Sequence, residues 1–113
     1  MRPIAGRNLL LKLRNMIMRK IEKQMIEAIS SSKNWKSGNT EVIHTIGAGG
    51  IAYADIYLHG NHIAVTSPNV ATVNPNKETF RNWPTPTTRS RLNALGVNAS
   101  IKNFRPHIDG MAL

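Results

Sequence analysis

The stretch IAYADIYLHGNHIAVTS, residues 51–67, decides the fold, because it holds two β-prone runs on either side of a short turn. Along the first run, side chains alternate between two faces: Ile51, Tyr53, Asp55 and Tyr57 on one, and Ala52, Ala54, Ile56 and Leu58 on the other. Gly60 and Asn61 both tolerate the positive φ that a tight hairpin turn needs. The alternation and the turn together predict a β-hairpin over residues 53–66.

Neighbouring segments extend this hairpin into a small sheet. TEVIHTI, residues 40–46, is rich in β-branched residues, and we expect a further strand over residues 70–73. Helical segments before and after these strands make the fold class α+β. The predicted architecture is a long basic N-terminal helix, a small antiparallel sheet of three or four strands, and a short helix in the C-terminal half.

The short helix is predicted over residues 86–95. Thr85 or Thr87 can serve as its N-cap, Pro86 suits its first turn, and Gly96 is typical of the position just after a helix.

The N-terminal segment predicts a longer helix over residues 8–30, because it lacks Gly and Pro and is rich in Leu, Met, Ile, Lys and Glu. At 100° per residue, Lys12, Arg19 and Lys23 align opposite an apolar band. Leu9, Met16 and Ile26 lie outside that band, so either the buried arc is wide or a second surface covers part of it, as in a homo-oligomer. Residues 1–36 are assigned to this basic amphipathic helix and a polar linker, and residues 37–113 to a small α+β module, all within one compact domain.

Charge narrows the choice of partners. The chain has 113 residues and a formal net charge of +9, and residues 1–36 hold nine of the 15 basic side chains. Such an excess favours nucleic acid, an anionic membrane or an acidic protein surface. The basic helix is compatible with a solvated outer face, phosphate contact, a membrane-surface helix or a targeting peptide. No apolar run is long enough to predict a transmembrane segment.

The sequence offers few of the residue groupings that catalysis or metal binding requires. Cysteine is absent, and the glycines of GAGG, residues 47–50, lead into a strand rather than into the helix that a phosphate-binding loop requires. His59 and His62 flank a turn but have no further ligand nearby in sequence. We therefore expect no enzyme activity, no metal site and no cofactor.

Two tryptophans stand beside basic residues. Trp35 lies between Lys33 and Lys36, and Trp83 precedes a group of hydroxyls and arginines. Aromatic and cationic side chains in this proximity are typical of single-stranded nucleic-acid binding, although Trp packing and helix capping explain the same residues. Arg89 and Arg91 are two apart and must point to different sides of their helix. The candidate nucleic-acid-binding residues are Lys12, Arg19, Lys23, Lys33, Trp35, Lys36, Trp83, Thr88, Arg89 and Arg91.

Three segments resemble a family of small uncharacterised proteins of tailed bacteriophages: YLHGNHIAV (57–65), NWPTPTTRSRLNAL (82–95) and NFRPHIDGMAL (103–113). The resemblance covers residues 53–113 and implies a phage origin and a small α+β module. It implies no activity. The segment FRPHIDG departs from the family pattern through its proline, which counts against a final strand.

The predicted function is that of a phage-encoded, non-enzymatic nucleic-acid-binding accessory protein in the cytoplasm of an infected bacterium, with single strands favoured. One alternative is a host-takeover or anti-defence protein that binds and modulates a bacterial enzyme. A second alternative is a structural component of the virion.

Overall fold

The computed structural model describes residues 19–113 as an α+β fold with two antiparallel sheets. The main sheet has five strands in sequence order: β1 (Trp35–Ser37), β2 (Thr40–Ile46), β3 (Ala52–Leu58), β4 (Asn61–Thr66) and β5 (Val73–Pro75). The second sheet has three: β6 (Ala99–Lys102), β7 (Arg105–Ile108) and β8 (Met111–Ala112). Three helices complete the described fold: α1 (Lys20–Ser30), α2 (Lys77–Asn82) and α3 (Pro86–Ala94).

The hairpin predicted over residues 53–66 is confirmed as β3 and β4. Its turn lies one residue earlier than expected, because His59 and Gly60 have the positive φ values, 52° and 78°, and Asn61 already belongs to β4. The predicted alternation holds from Ala54 onward, where Ala54, Ile56 and Leu58 are buried, whereas Ala52 at the start of β3 is exposed.

The prediction of a single sheet with three or four strands is wrong. The strand expected over residues 70–73 begins at Val73, and Trp35, placed in a linker by the sequence, pairs with Val42 in β1.

A C-terminal strand is also present, although Pro106 counted against one in the sequence. Pro106 faces Ile101, next to the turn-flanking pair Lys102 and Arg105, so its nitrogen points away from β6 and needs no hydrogen there.

A long N-terminal helix is not shown. Arg19 has extended backbone angles, φ −65° and ψ 152°, and acts as the N-cap of α1, so an unbroken helix cannot pass through it. Glu22 reinforces this start, since its Oε1 accepts a hydrogen bond from the Arg19 N–H at 3.2 Å. The part of the prediction on residues 8–18, including Lys12, lies outside the described residues.

The short helix is confirmed as α3, with Thr85 as its N-cap and Gly96 after its end at φ 96°.

One hydrophobic core joins the three helices and both sheets. Its fully buried side chains include Met25, Ile29, Ile56, Phe80 and Leu92. Among residues 19–113, no helix combines the length and the apolar character needed to cross a membrane.

Candidate nucleic-acid interface

The start of α3 is occupied by its own capping interactions. The Thr88 N–H donates to Thr85 Oγ1 at 3.1 Å, the two threonine hydroxyls are 2.9 Å apart, and the Arg89 N–H donates to the Thr85 carbonyl at 3.0 Å. Pro86 has no N–H to offer. Thr88 is also only 4% exposed. This helix end is therefore built for capping, and Thr88 is in no position to contact a large ligand.

The two arginines of α3 point to different sides, as predicted. Arg91 is 3% exposed: its Nη1 donates to Glu22 Oε2 at 2.8 Å, and its Nε donates to Thr40 Oγ1 at 3.1 Å. Ser90 Oγ donates to the same Glu22 oxygen. Arg91 thus ties α3 to α1 and β2, while Arg89 remains exposed.

Arg89 opens onto a cleft of about 710 Å³ between the start of α1, helix α3 and strand β6. Arg19, Glu22, Ser90 and Ser100 also line it. The Glu22 carboxylate is neutralised by Arg91, so Arg19 and Arg89 give the cleft a net positive charge.

Asn93 fixes β6 against α3 at the side of this cleft. Its Nδ2 donates to the Ala99 carbonyl at 3.0 Å, and its Oδ1 accepts from the Ala99 N–H at 2.8 Å. The position of Ser100, the next residue of β6, is fixed by the same pair of bonds.

Ser100, which lines the cleft, also belongs to the outer face of the strand pair β6 and β7. Ala99, Pro106 and Ile108 are buried on the inner face of this strand pair. Side chains alternate along strands, so the outer face carries Ser100, Lys102 and their cross-strand partners His107 and Arg105. Ser100 and Lys102 are about 7 Å apart along the strand. We call Arg19, Arg89, Ser100, Lys102 and Arg105 the basic strip.

The other predicted residues lie elsewhere. Lys23, Lys33 and Lys36 are exposed, Trp35 is half-buried against the core, and Trp83 is 52% exposed after α2. None of these five lines the cleft. The sequence reasoning missed Ser100, Lys102 and Arg105, whose signal was the alternation of ASIK and RPHI around a two-residue turn.

The described histidines mostly serve the fold. His44 Nε2 is 3.0 Å from the Ala28 carbonyl, and His62 lies between Asp55 Oδ1 at 2.8 Å and Asn76 Nδ2 at 3.1 Å. Within residues 19–113, no group of three or more His, Cys, Asp or Glu side chains is placed to hold a metal ion.

The chain matches the model of a known protein family. A family model described as "Kyanoviridae Gp96 protein" matches residues 18–111, a span that includes α1, the main sheet, β6, β7 and the whole basic strip. No curated protein and no solved structure matches the chain.

Proposed function

The chain belongs to the Kyanoviridae Gp96 family, which makes it a phage protein, and we propose that it is a non-enzymatic accessory protein that binds nucleic acid. The phage origin expected from the sequence is confirmed at the level of this family. The binding activity is inferred from the basic strip.

The observation that carries this proposal is that the cations of the basic strip are exposed, whereas the nearby carboxylate is already paired with another arginine. Arg19, Arg89, Lys102 and Arg105 are exposed, and the carboxylate among the cleft residues, Glu22, is held by buried Arg91. Exposed cations at the cleft and on the outer face of β6 and β7 suit the phosphate backbone, which supplies most non-specific affinity. The Ser100 hydroxyl at the cleft can donate to the same phosphates.

Four phosphate contacts set the expected salt dependence. On a single strand, the logarithm of the association constant should fall with the logarithm of salt concentration with a slope of about −3. Between 50 and 200 mM salt, affinity should then fall about 50-fold. Fluorescence anisotropy with labelled single- and double-stranded oligonucleotides measures this directly.

A matched pair of variants locates the interface. Lys102→Gln/Arg105→Gln should reduce the magnitude of the slope by about 1.5, because two phosphate contacts are lost. Lys33→Gln/Lys36→Gln removes the same charge from exposed positions before and within β1 and should leave the slope nearly unchanged. An equal reduction of the slope in both double variants would show that binding is not localised at the strip. The absence of salt-dependent binding at micromolar protein would refute the function.

A second candidate function, binding of a bacterial host protein, is favoured by a different surface. Ile46 and Ile51 are 73% and 69% exposed on either side of the loop of residues 47–50, which carries no charge. Ile46 pairs with Ala52, the neighbour of Ile51, and adjoining exposed apolar side chains are typical of protein contacts. An affinity purification from nuclease-treated host lysate should yield a partner that Ile46→Ser/Ile51→Ser loses and Lys102→Gln/Arg105→Gln retains. A partner retained by both variants would exclude this loop.

A further inference from the structure

Three hairpins of the described chain close with two-residue turns in which both residues have positive φ. Two of these turns end in glycine: His59–Gly60, with φ 52° and 78°, and Asp109–Gly110, with φ 52° and 80°. The third is Asn103–Phe104, with φ 52° and 63°. Glycine is the favoured second residue of such turns, because a side chain in the left-handed region is strained. The fold therefore holds Phe104 in a conformation that a glycine would adopt more easily.

The strain at Phe104 is not offset by burial of its side chain. Its side chain is 95% exposed, the most exposed of the large hydrophobic residues in the described chain. The turn is also flanked by Lys102 directly opposite Arg105, and like charges at such a pair repel. An exposed aromatic ring, a strained backbone and a like-charge pair thus coincide within four residues. Such local conflicts tend to occur at functional sites.

We propose that Phe104 is a stacking platform for an unpaired base of a single-stranded nucleic acid whose phosphates lie along the basic strip. This inference rests on the proposed function and assigns it a substrate class. Lys102 and Arg105 stand at the base of the turn, so a strand that contacts them brings its bases to the ring. Stacking on an aromatic face accepts any base, which suits a single projecting side chain.

Charge and geometry favour a single strand over the other partners. In a duplex, neighbouring bases cover each base face, so the ring could stack only after base steps are unstacked. Lysine is depleted at the centres of protein interfaces, and Lys102 stands beside Phe104 at the base of the turn.

The variant Phe104→Gly separates stacking from folding. Glycine relieves the strained turn, so we expect the variant to be at least as stable as the wild type in urea denaturation. We expect its affinity for a labelled single-stranded 20-mer to fall at least about 5-fold. Its affinity for an abasic strand of equal length, which keeps the phosphates, should not change, and neither should its salt slope. Phe104→Tyr keeps an aromatic face and should bind like the wild type.

Each outcome identifies what fails. A wild type that binds no oligonucleotide refutes the proposed function and the stacking role with it. If the wild type binds with the expected salt slope and Phe104→Gly has the same affinity, the proposed function stands and the stacking role is refuted. Equal losses on the 20-mer and the abasic strand also refute stacking. If Phe104→Gly keeps its affinity for oligonucleotides but loses a protein partner that the wild type retains in nuclease-treated lysate, the turn would be a protein contact instead.

Discussion

Arg91→Met should destabilise the fold far more than Arg89→Met, although the two arginines are only two residues apart on α3. The side chains of Arg91 and Glu22 are each 4% exposed, and their ion pair measures 2.8 Å. Methionine fills much of the space of the arginine stem but removes the guanidinium. Glu22 then keeps the Ser90 hydroxyl and the Arg19 N–H as donors but loses its counter-charge.

The expected loss follows from what remains buried. Removing one partner of a buried ion pair costs about 3–5 kcal/mol, because the other charge is left uncompensated. Thr40 Oγ1 also loses its donor, Arg91 Nε, so the upper half of this range is more appropriate. For a domain of this size, each kcal/mol lowers Tm by about 4–8 °C, so Tm should fall by at least about 16 °C. Arg89 is exposed, and Arg89→Met should change stability by no more than about 0.5 kcal/mol.

Urea denaturation followed by far-UV circular dichroism measures both values. Glu22→Gln introduced beside Arg91→Met should restore at least about 1 kcal/mol, because the stranded charge is removed. In oligonucleotide binding the order reverses: Arg89→Met should weaken binding, and Arg91→Met, measured where it is folded, should not. A loss below about 1 kcal/mol for Arg91→Met, or no recovery in the double variant, would refute this account of the ion pair.

Two further predictions concern stability. Phe80 is fully buried, so Phe80→Ala should lower the free energy of unfolding by about 3–5 kcal/mol in urea denaturation; a loss under 1 kcal/mol would contradict its place in the core. Thr85→Ala should lower it by about 1 kcal/mol through loss of the cap on the Thr88 N–H, and Thr85→Ser should largely retain the cap; equal losses would count against it.

Elements with strong local signals could be predicted from the sequence. The hairpin of β3 and β4 followed from alternation and a glycine turn, and α3 followed from Thr85, Pro86 and Gly96. The start of α1 could not, because Arg19 is not a usual capping residue and only Glu22, at the third helical position, indicated it. The second sheet was missed because its strands have only two to four residues and its first turn, Asn103–Phe104, lacks glycine.

The candidate site shows the same division between local and long-range information. Helical periodicity was enough to predict that Arg89 and Arg91 diverge. It could not say which of the two is buried, because the partners of Arg91 are distant in sequence: Glu22 is 69 residues away and Thr40 is 51. The clustering of Arg19 with Arg89 likewise depends on how α1 packs beside α3.

Some departures from local rules are compensated by the fold, and others are not. A buried arginine is unfavourable alone, but Arg91 has Glu22 and Thr40 as partners. A proline inside a central strand is unfavourable, but Pro106 lies where its missing N–H faces away from β6, and its carbonyl still accepts from the Leu113 N–H. Both departures are thereby explained by structure alone. Phe104 differs, because its side chain is 95% exposed at φ 63°, so burial within residues 19–113 does not offset the strain of the turn. For that reason we place the recognition element at this turn rather than at Trp35 or Trp83.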